Sequence, residues 1–184
     1  LTSHEQLASL LNRAYFAEIN GQADRELQRS TEAAALVADI DDFTASVRDF
    51  FDTDVLYFSP DGKKVKSEGG LTVKPDGAFD DVTPEKHRAI VVCGSGAWQR
   101  KEAPDITPLL TSAIDKNVLV GAICAGTLTA ARAGLFDNRR HTSNGRDWLL
   151  KHARDYKGNH LYQNVNDAIF DMGLVSAPSC VLAF

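Results

Sequence analysis

The chain has 184 residues, 43% of them hydrophobic and 24% charged, with a formal net charge of −5. That length supports one sizeable core and a single domain over 1–184, in the composition range of ordinary soluble globular proteins. Nucleic-acid binding calls for a basic stripe and a membrane span for an apolar run near 18 residues; the sequence offers neither.

Residues 1–5 lack the basic and apolar regions of a secretory signal. The three cysteines, Cys93, Cys124 and Cys180, form an odd set without metal-ligand spacing. Free thiols in a reducing cytoplasm are therefore expected, with no metal and no cofactor. The short clusters Lys63, Lys64, Lys66 and Arg139, Arg140 read as solvated surface.

Residues 3–30 have helical character, with Leu7, Leu10, Leu11, Ala14, Tyr15 and Ile19 at helical spacing and Gly21 as a stop. The apolar run over 33–40 predicts a buried parallel strand, Asp41-Asp42-Phe43 a turn, and 44–51 a short helix. A second strand is predicted over 54–59, ended by Pro60-Asp61-Gly62, and a small strand excursion over 65–73. The strand 87–93 leads into the turn Gly94-Ser95-Gly96, followed by a helix over 106–116 and a buried strand over 118–123. Helices over 126–133 and 147–154 come next, and Ile169-Phe170 with Leu174-Val175-Ser176 predicts a terminal strand pair. Strands alternating with helices imply an α/β, three-layer sandwich around a mostly parallel, flavodoxin-like sheet. Reactive groups in such sheets gather at the carboxyl ends of strands, where Cys93 and Cys124 both fall.

The segment Val120-Gly121-Ala122-Ile123-Cys124-Ala125-Gly126-Thr127 places a thiol where a buried strand turns into a helix, a nucleophile elbow. Its small neighbours permit a strained turn and close backbone approach. Helix-terminal N–H groups favour the thiolate of a cysteine placed there and can hold an oxyanion, each donor contributing roughly 3 kcal/mol. Pattern alone leaves a second reading open, in which Cys124 is a small buried hydrophobe.

The longer string from Val120, continuing through Ala130-Ala-Arg-Ala-Gly-Leu-Phe-Asp-Asn-Arg-Arg-His-Thr-Ser-Asn144, resembles the ThiJ/PfpI superfamily. It is most similar to the bacterial branch of type 1 glutamine amidotransferase-like proteins and intracellular proteases. Residues 58–76, the turn Ala89-Ile-Val-Val-Cys-Gly-Ser-Gly-Ala-Trp98, and 156–178 extend the likeness, which covers 34–184 and leaves 1–30 as an atypical helical segment. The resemblance implies Cys124 as nucleophile and the backbone N–H groups of Ala125 and the Gly94-Ser95 turn as an oxyanion hole. It implies His141 as acid/base; the alternative for His141 is a loop histidine bonded to backbone. Trp98 either lines the pocket or packs.

Three departures stand out. The family's glutamate after its first strand has no counterpart in Asp41-Asp-Phe-Thr-Ala-Ser-Val-Arg-Asp49, so Asp42 or Asp49 could substitute only if the loop reshapes. Cys93-Gly94-Ser95 stands where the family has Pro-Gly-Gly, so Ser95 is expected to crowd the oxyanion turn, and Cys93 is either a resolving thiol or a buried spectator. A counterpart of the family's C-terminal helix is not expected within this sequence, and the N-terminal helical segment is expected to cover that face or to mediate dimerisation. The resemblance implies a cysteine-dependent enzyme acting on small carbonyl or amide compounds, glyoxalase-, deglycase- or hydrolase-like, in a homodimer. Glutaminase activity is not expected, because no His-x-Glu pair follows Cys124. A redox or stress-response protein with an oxidisable Cys124, or a catalytically impaired family member, are the alternatives.

Overall fold

The structure, a computed structural model, describes residues 54–66 and 72–178. The elements expected before residue 54, the candidate acid Asp42, Asp49 and Cys180 lie outside the described residues. Contacts divide the chain into two compact units, with the boundary between Thr83 and Pro84.

In the first unit, β1 (Phe58–Ser59) pairs in parallel with β4 (Gly77–Ala78), and β2 (Val65–Lys66) pairs antiparallel with β3 (Thr72–Val73). The strand predicted over 54–59 is thus reduced to its last two residues. Just before it, Tyr57 N donates to the Asp76 side chain at 2.8 Å, and Asp76 N donates to Tyr57 O at 2.7 Å. The predicted turn forms as expected: Gly62 takes φ +71°, a conformation that favours glycine. Lys63 pairs with Asp61 at 2.8 Å, an exposed pair that adds little stability.

The second unit holds the sheet that carries Cys93 and Cys124. Its strand order is β5 (Ala89–Val92), β6 (Leu119–Ile123), β8 (Leu174–Ala177), β7 (Ile169–Asp171). The first three run parallel, and β7 joins β8 as an antiparallel edge, the strand pair the sequence predicts. Val120 and Ala122 of β6 and all of β8 are buried, as central parallel strands covered on both faces must be.

Helix α1 (Thr107–Asp115) crosses from β5 to β6. Asp105 Oδ1 accepts from Thr107 N at 2.9 Å, Pro108 occupies the first turn, and Leu110 and Ala113, three apart, face the core. Asn117 takes a left-handed φ of +57° just past the helix and turns the chain into β6. Helix α2 (Thr127–Arg132) is buried from Thr127 to Ala131 and contacts α1, β6 and α3 (Arg146–His152). Leu128, Phe136 and Leu149 are fully buried. Burying each such side chain contributes about 1.5–3 kcal/mol.

The arginine pair is not the solvated patch expected of it. Arg139 is half-buried and donates to the carbonyls of Leu135 and Met172, both at 3.1 Å, tying the loop after α2 to the β7–β8 turn. Arg140 is exposed and lies 3.5 Å from Asp171.

Candidate active site

Register fixes the geometry at the end of β6. Val92 pairs with Ala122, so the residues leaving β5 come alongside the residue leaving β6. Ile123 is still extended at φ −121°, and Cys124 then switches to φ +53° before a 3-10 turn over Cys124–Gly126 leads into α2. A non-glycine residue in the left-handed region carries strain of about 1–2 kcal/mol and is held there only by its surroundings.

Two glycines make the switch possible. A Cβ on Gly126 would lie 2.5 Å from Val92 O, and one on Gly94 would lie 2.8 Å from Cys124 Cβ and 3.3 Å from Sγ. The end of β5 therefore closes directly on the elbow. The elbow carbonyl is clamped from the other side: Thr127 Oγ1 donates to Cys124 O at 2.5 Å and lies 2.6 Å from Ser143 Oγ. Cys124 is half-buried, and its sulfur accepts a hydrogen bond from Asn144 Nδ2 at 3.5 Å.

His141 sits elsewhere than its expected role requires. It is fully buried, stacked on Phe136 with centroids 4.0 Å apart, and edge-on to Tyr156 and Tyr162. Its Nδ1 is 2.7 Å from Arg139 O, and its Nε2 is 2.6 Å from Tyr156 Oη. Both ring nitrogens are thus engaged away from the thiol, close to the alternative reading of a backbone-bonded loop histidine. Burial is the main cause holding the imidazole below its ordinary pKa, and burial pushes the Tyr156 phenol up to about 12. The neutral forms of both are favoured.

At the turn after β5, Ser95 Oγ accepts from Ala97 N at 3.1 Å and caps the short turn Gly96–Gln99. Trp98 is buried, and its indole N–H donates to Cys93 O at 3.0 Å, so packing is its role. Cys93 is a free cysteine on an exposed residue, yet burial of its sulfur pushes the thiol up from its ordinary value, so it keeps part of the character of a buried spectator. Ala125 is buried beside the elbow.

Asn144 was not singled out from the sequence as a site residue. It ends the string His141-Thr142-Ser143-Asn144, and four consecutive polar side chains after a buried loop were the available signal. It also lines a cleft of about 500 Å³ with Gly145, Arg146, Asp147, Trp148, Tyr162 and Asn164. Arg146 places its guanidinium 5.7 Å from the centre of the Tyr162 ring, a cation–π contact. Among the described residues no cluster of three metal-binding side chains occurs, and no helix is long and apolar enough to cross a membrane.

A mostly parallel sheet whose central strand runs into a strained cysteine turn defines a flavodoxin-like α/β protein with a nucleophile elbow. The DJ-1/PfpI family model matches residues 28–179, and the chain belongs to that family. Among solved structures it is similar to the DJ-1 superfamily protein Atu0886 from Agrobacterium tumefaciens, with 30% identity, a TM-score of 0.68, and coverage of 73% of this chain and 71% of that one. Uncharacterized protease YoaZ of Bacillus subtilis is 27% identical over 146 residues, which are 79% of this chain and 69% of YoaZ. Glutathione-independent glyoxalase DJR-1.2 of Caenorhabditis elegans is 33% identical over 86 residues, 46% of this chain and 46% of the worm protein.

Proposed function

We propose that the protein is a cysteine-dependent enzyme acting on small carbonyl compounds, 2-oxoaldehydes first among them, with Cys124 as nucleophile. The observation that carries this reading is the strained backbone at Cys124, φ +53°, which presents a half-buried sulfur at the carboxyl end of the central strand. The family likeness to a named glyoxalase supports the substrate class.

The Cys124 thiolate adds to the aldehyde carbon, forming a C–S bond while the carbonyl electron pair moves onto oxygen. The N–H groups of Ala125 and the Gly94-Ser95 turn are the proposed donors to that oxygen, which takes a proton from water. The C1 proton of the hemithioacetal passes to water and a proton returns to C2, so that C1 becomes a thioester carbonyl (oxidised) and the C2 carbonyl an alcohol (reduced). Water then adds to the thioester, the C–S bond breaks, and the hydroxy acid leaves with the thiolate regenerated, a net hydration of the oxoaldehyde. His141, with both nitrogens engaged, serves to position the loop that faces the thiol; proton exchange falls to solvent.

Conversion of methylglyoxal to lactate by the wild-type chain, abolished by Cys124→Ser, is the expected result. Absence of turnover together with peroxide-dependent oxidation of Cys124 would favour the redox alternative. Turnover undiminished in Cys124→Ser would exclude Cys124 as nucleophile.

A further inference from the structure

We propose that Asn144 is a catalytic residue of the Cys124 site: its carboxamide, a neutral donor, stabilises the sulfur in its charged form and faces the substrate that approaches it. This rests on the reading of Cys124 as the nucleophile.

Asn144 Nδ2 donates to Cys124 Sγ at 3.5 Å from twenty residues away in sequence. A thiolate is an acceptor only, so it selects the amide orientation that turns Nδ2 toward it. Asn144 also lines the cleft formed with Gly145, Arg146, Asp147, Trp148, Tyr162 and Asn164, so one side chain both touches the sulfur and borders an open volume, and it is the link between them.

The strap that carries Asn144 is fixed at every preceding residue. His141 O accepts from Gln163 N at 2.8 Å, Thr142 N donates to Ser176 Oγ at 2.9 Å, and Ser143 O accepts from the Tyr162 hydroxyl at 3.1 Å. The other three side chains are spent on Tyr156, the Val165 carbonyl and Thr127, leaving Asn144 as the strap residue that reaches the sulfur.

A carboxamide has a property a carboxyl group lacks. It keeps its donor hydrogens and its neutrality at every working pH, so it can favour negative charge on sulfur without ever opposing it. A site built this way does not depend on a protonated carboxylic acid beside the thiol.

Alkylation by iodoacetamide tests this directly on the full chain, because the thiolate displaces iodide and forms a C–S bond without needing a carbonyl substrate. The rate at Cys124 is read at pH 7 by peptide mass, with Cys93 of the same chain as internal reference, in variants whose thermal unfolding matches wild type within a few degrees. Asn144→Ala is expected to react roughly tenfold more slowly, the loss of one hydrogen bond to a charged group. Asn144→Asp, nearly isosteric but anionic, is expected to be slower still, with Cys93 unchanged in both.

A purely structural role predicts the opposite order, with Asp milder than Ala; that order, or both variants within twofold of wild type, overturns the proposal. Methylglyoxal turnover separates the two readings. If the alkylation order holds and the wild type turns over no carbonyl compound, Asn144 stands as the group that stabilises the charged Cys124 sulfur, and the carbonyl reading falls.

Discussion

Two neighbouring sites in the second unit, the His141 pocket and the Cys124 elbow, are built on opposite principles. His141 is completely buried, stacked on an aromatic ring, with both nitrogens bonded. Cys124 is half-buried, holds a backbone conformation that L-residues rarely adopt, and accepts a long hydrogen bond at its sulfur from Asn144. The first site has both ring nitrogens bonded; the second is strained and only half-buried. The four-residue strap 141–144 joins them, anchored at one end in the pocket and reaching the sulfur at the other.

Substitutions sharpen this contrast, beginning with the largest effect. Gly158→Ala should remove the pocket outright, since the new Cβ would come within 3 Å of both the Phe136 carbonyl carbon and the His141 ring. Little soluble, cooperatively unfolding protein is expected, measured by yield and circular dichroism; a stable variant would mean that the pocket yields easily. His141→Ala opens a cavity beside Phe136 and leaves the Tyr156 hydroxyl and Arg139 carbonyl without this partner, a destabilisation of about 3 kcal/mol in chemical denaturation.

At the elbow the sign reverses. Cys124→Gly should be more stable than Cys124→Ala by about 1 kcal/mol, because glycine relieves the positive φ that alanine retains. Equal stabilities would show that the elbow is not strained.

The smallest effect is in pH dependence. Folding holds the imidazole of His141 below its ordinary value of 6.5, so the unfolded chain takes up its proton first as pH falls. The stability from this group is present above that value and is lost as pH drops through the folded one. His141→Gln should flatten the acid side of the stability curve, and an unchanged slope would remove His141 as its source.

Much of this was legible in the sequence because it depends on local pattern. The apolar run ending at Ile123 and the small residues around Cys124 predict a strand feeding a tight turn, and β6 with its elbow follows them closely. The helices over 107–115 and 127–132 likewise follow apolar spacing and the turn residues at their ends. What the pattern could not supply is partnership across distance. His141 looked available because nothing local reveals that Tyr156, fifteen residues on, takes its Nε2. Asn144 looked like the tail of a polar loop because its link to the sulfur spans twenty residues. Arg139 read as surface for the same reason: its acceptor at Met172 is thirty-three residues away.

The hydroxyl pair behind the elbow carries a direction. Thr127 has one hydroxyl proton, and it goes to the Cys124 carbonyl, so Ser143 must be the donor in their mutual contact. The same strap therefore grips the cysteine twice, through Ser143 and Thr127 at its backbone and through Asn144 at its sulfur. Any shift of that strap moves both grips together, so backbone conformation and thiol environment at Cys124 vary as one coordinate. A substitution as distant as the Ser176 hydroxyl, which holds Thr142 N, acts on the lever and not on the tip.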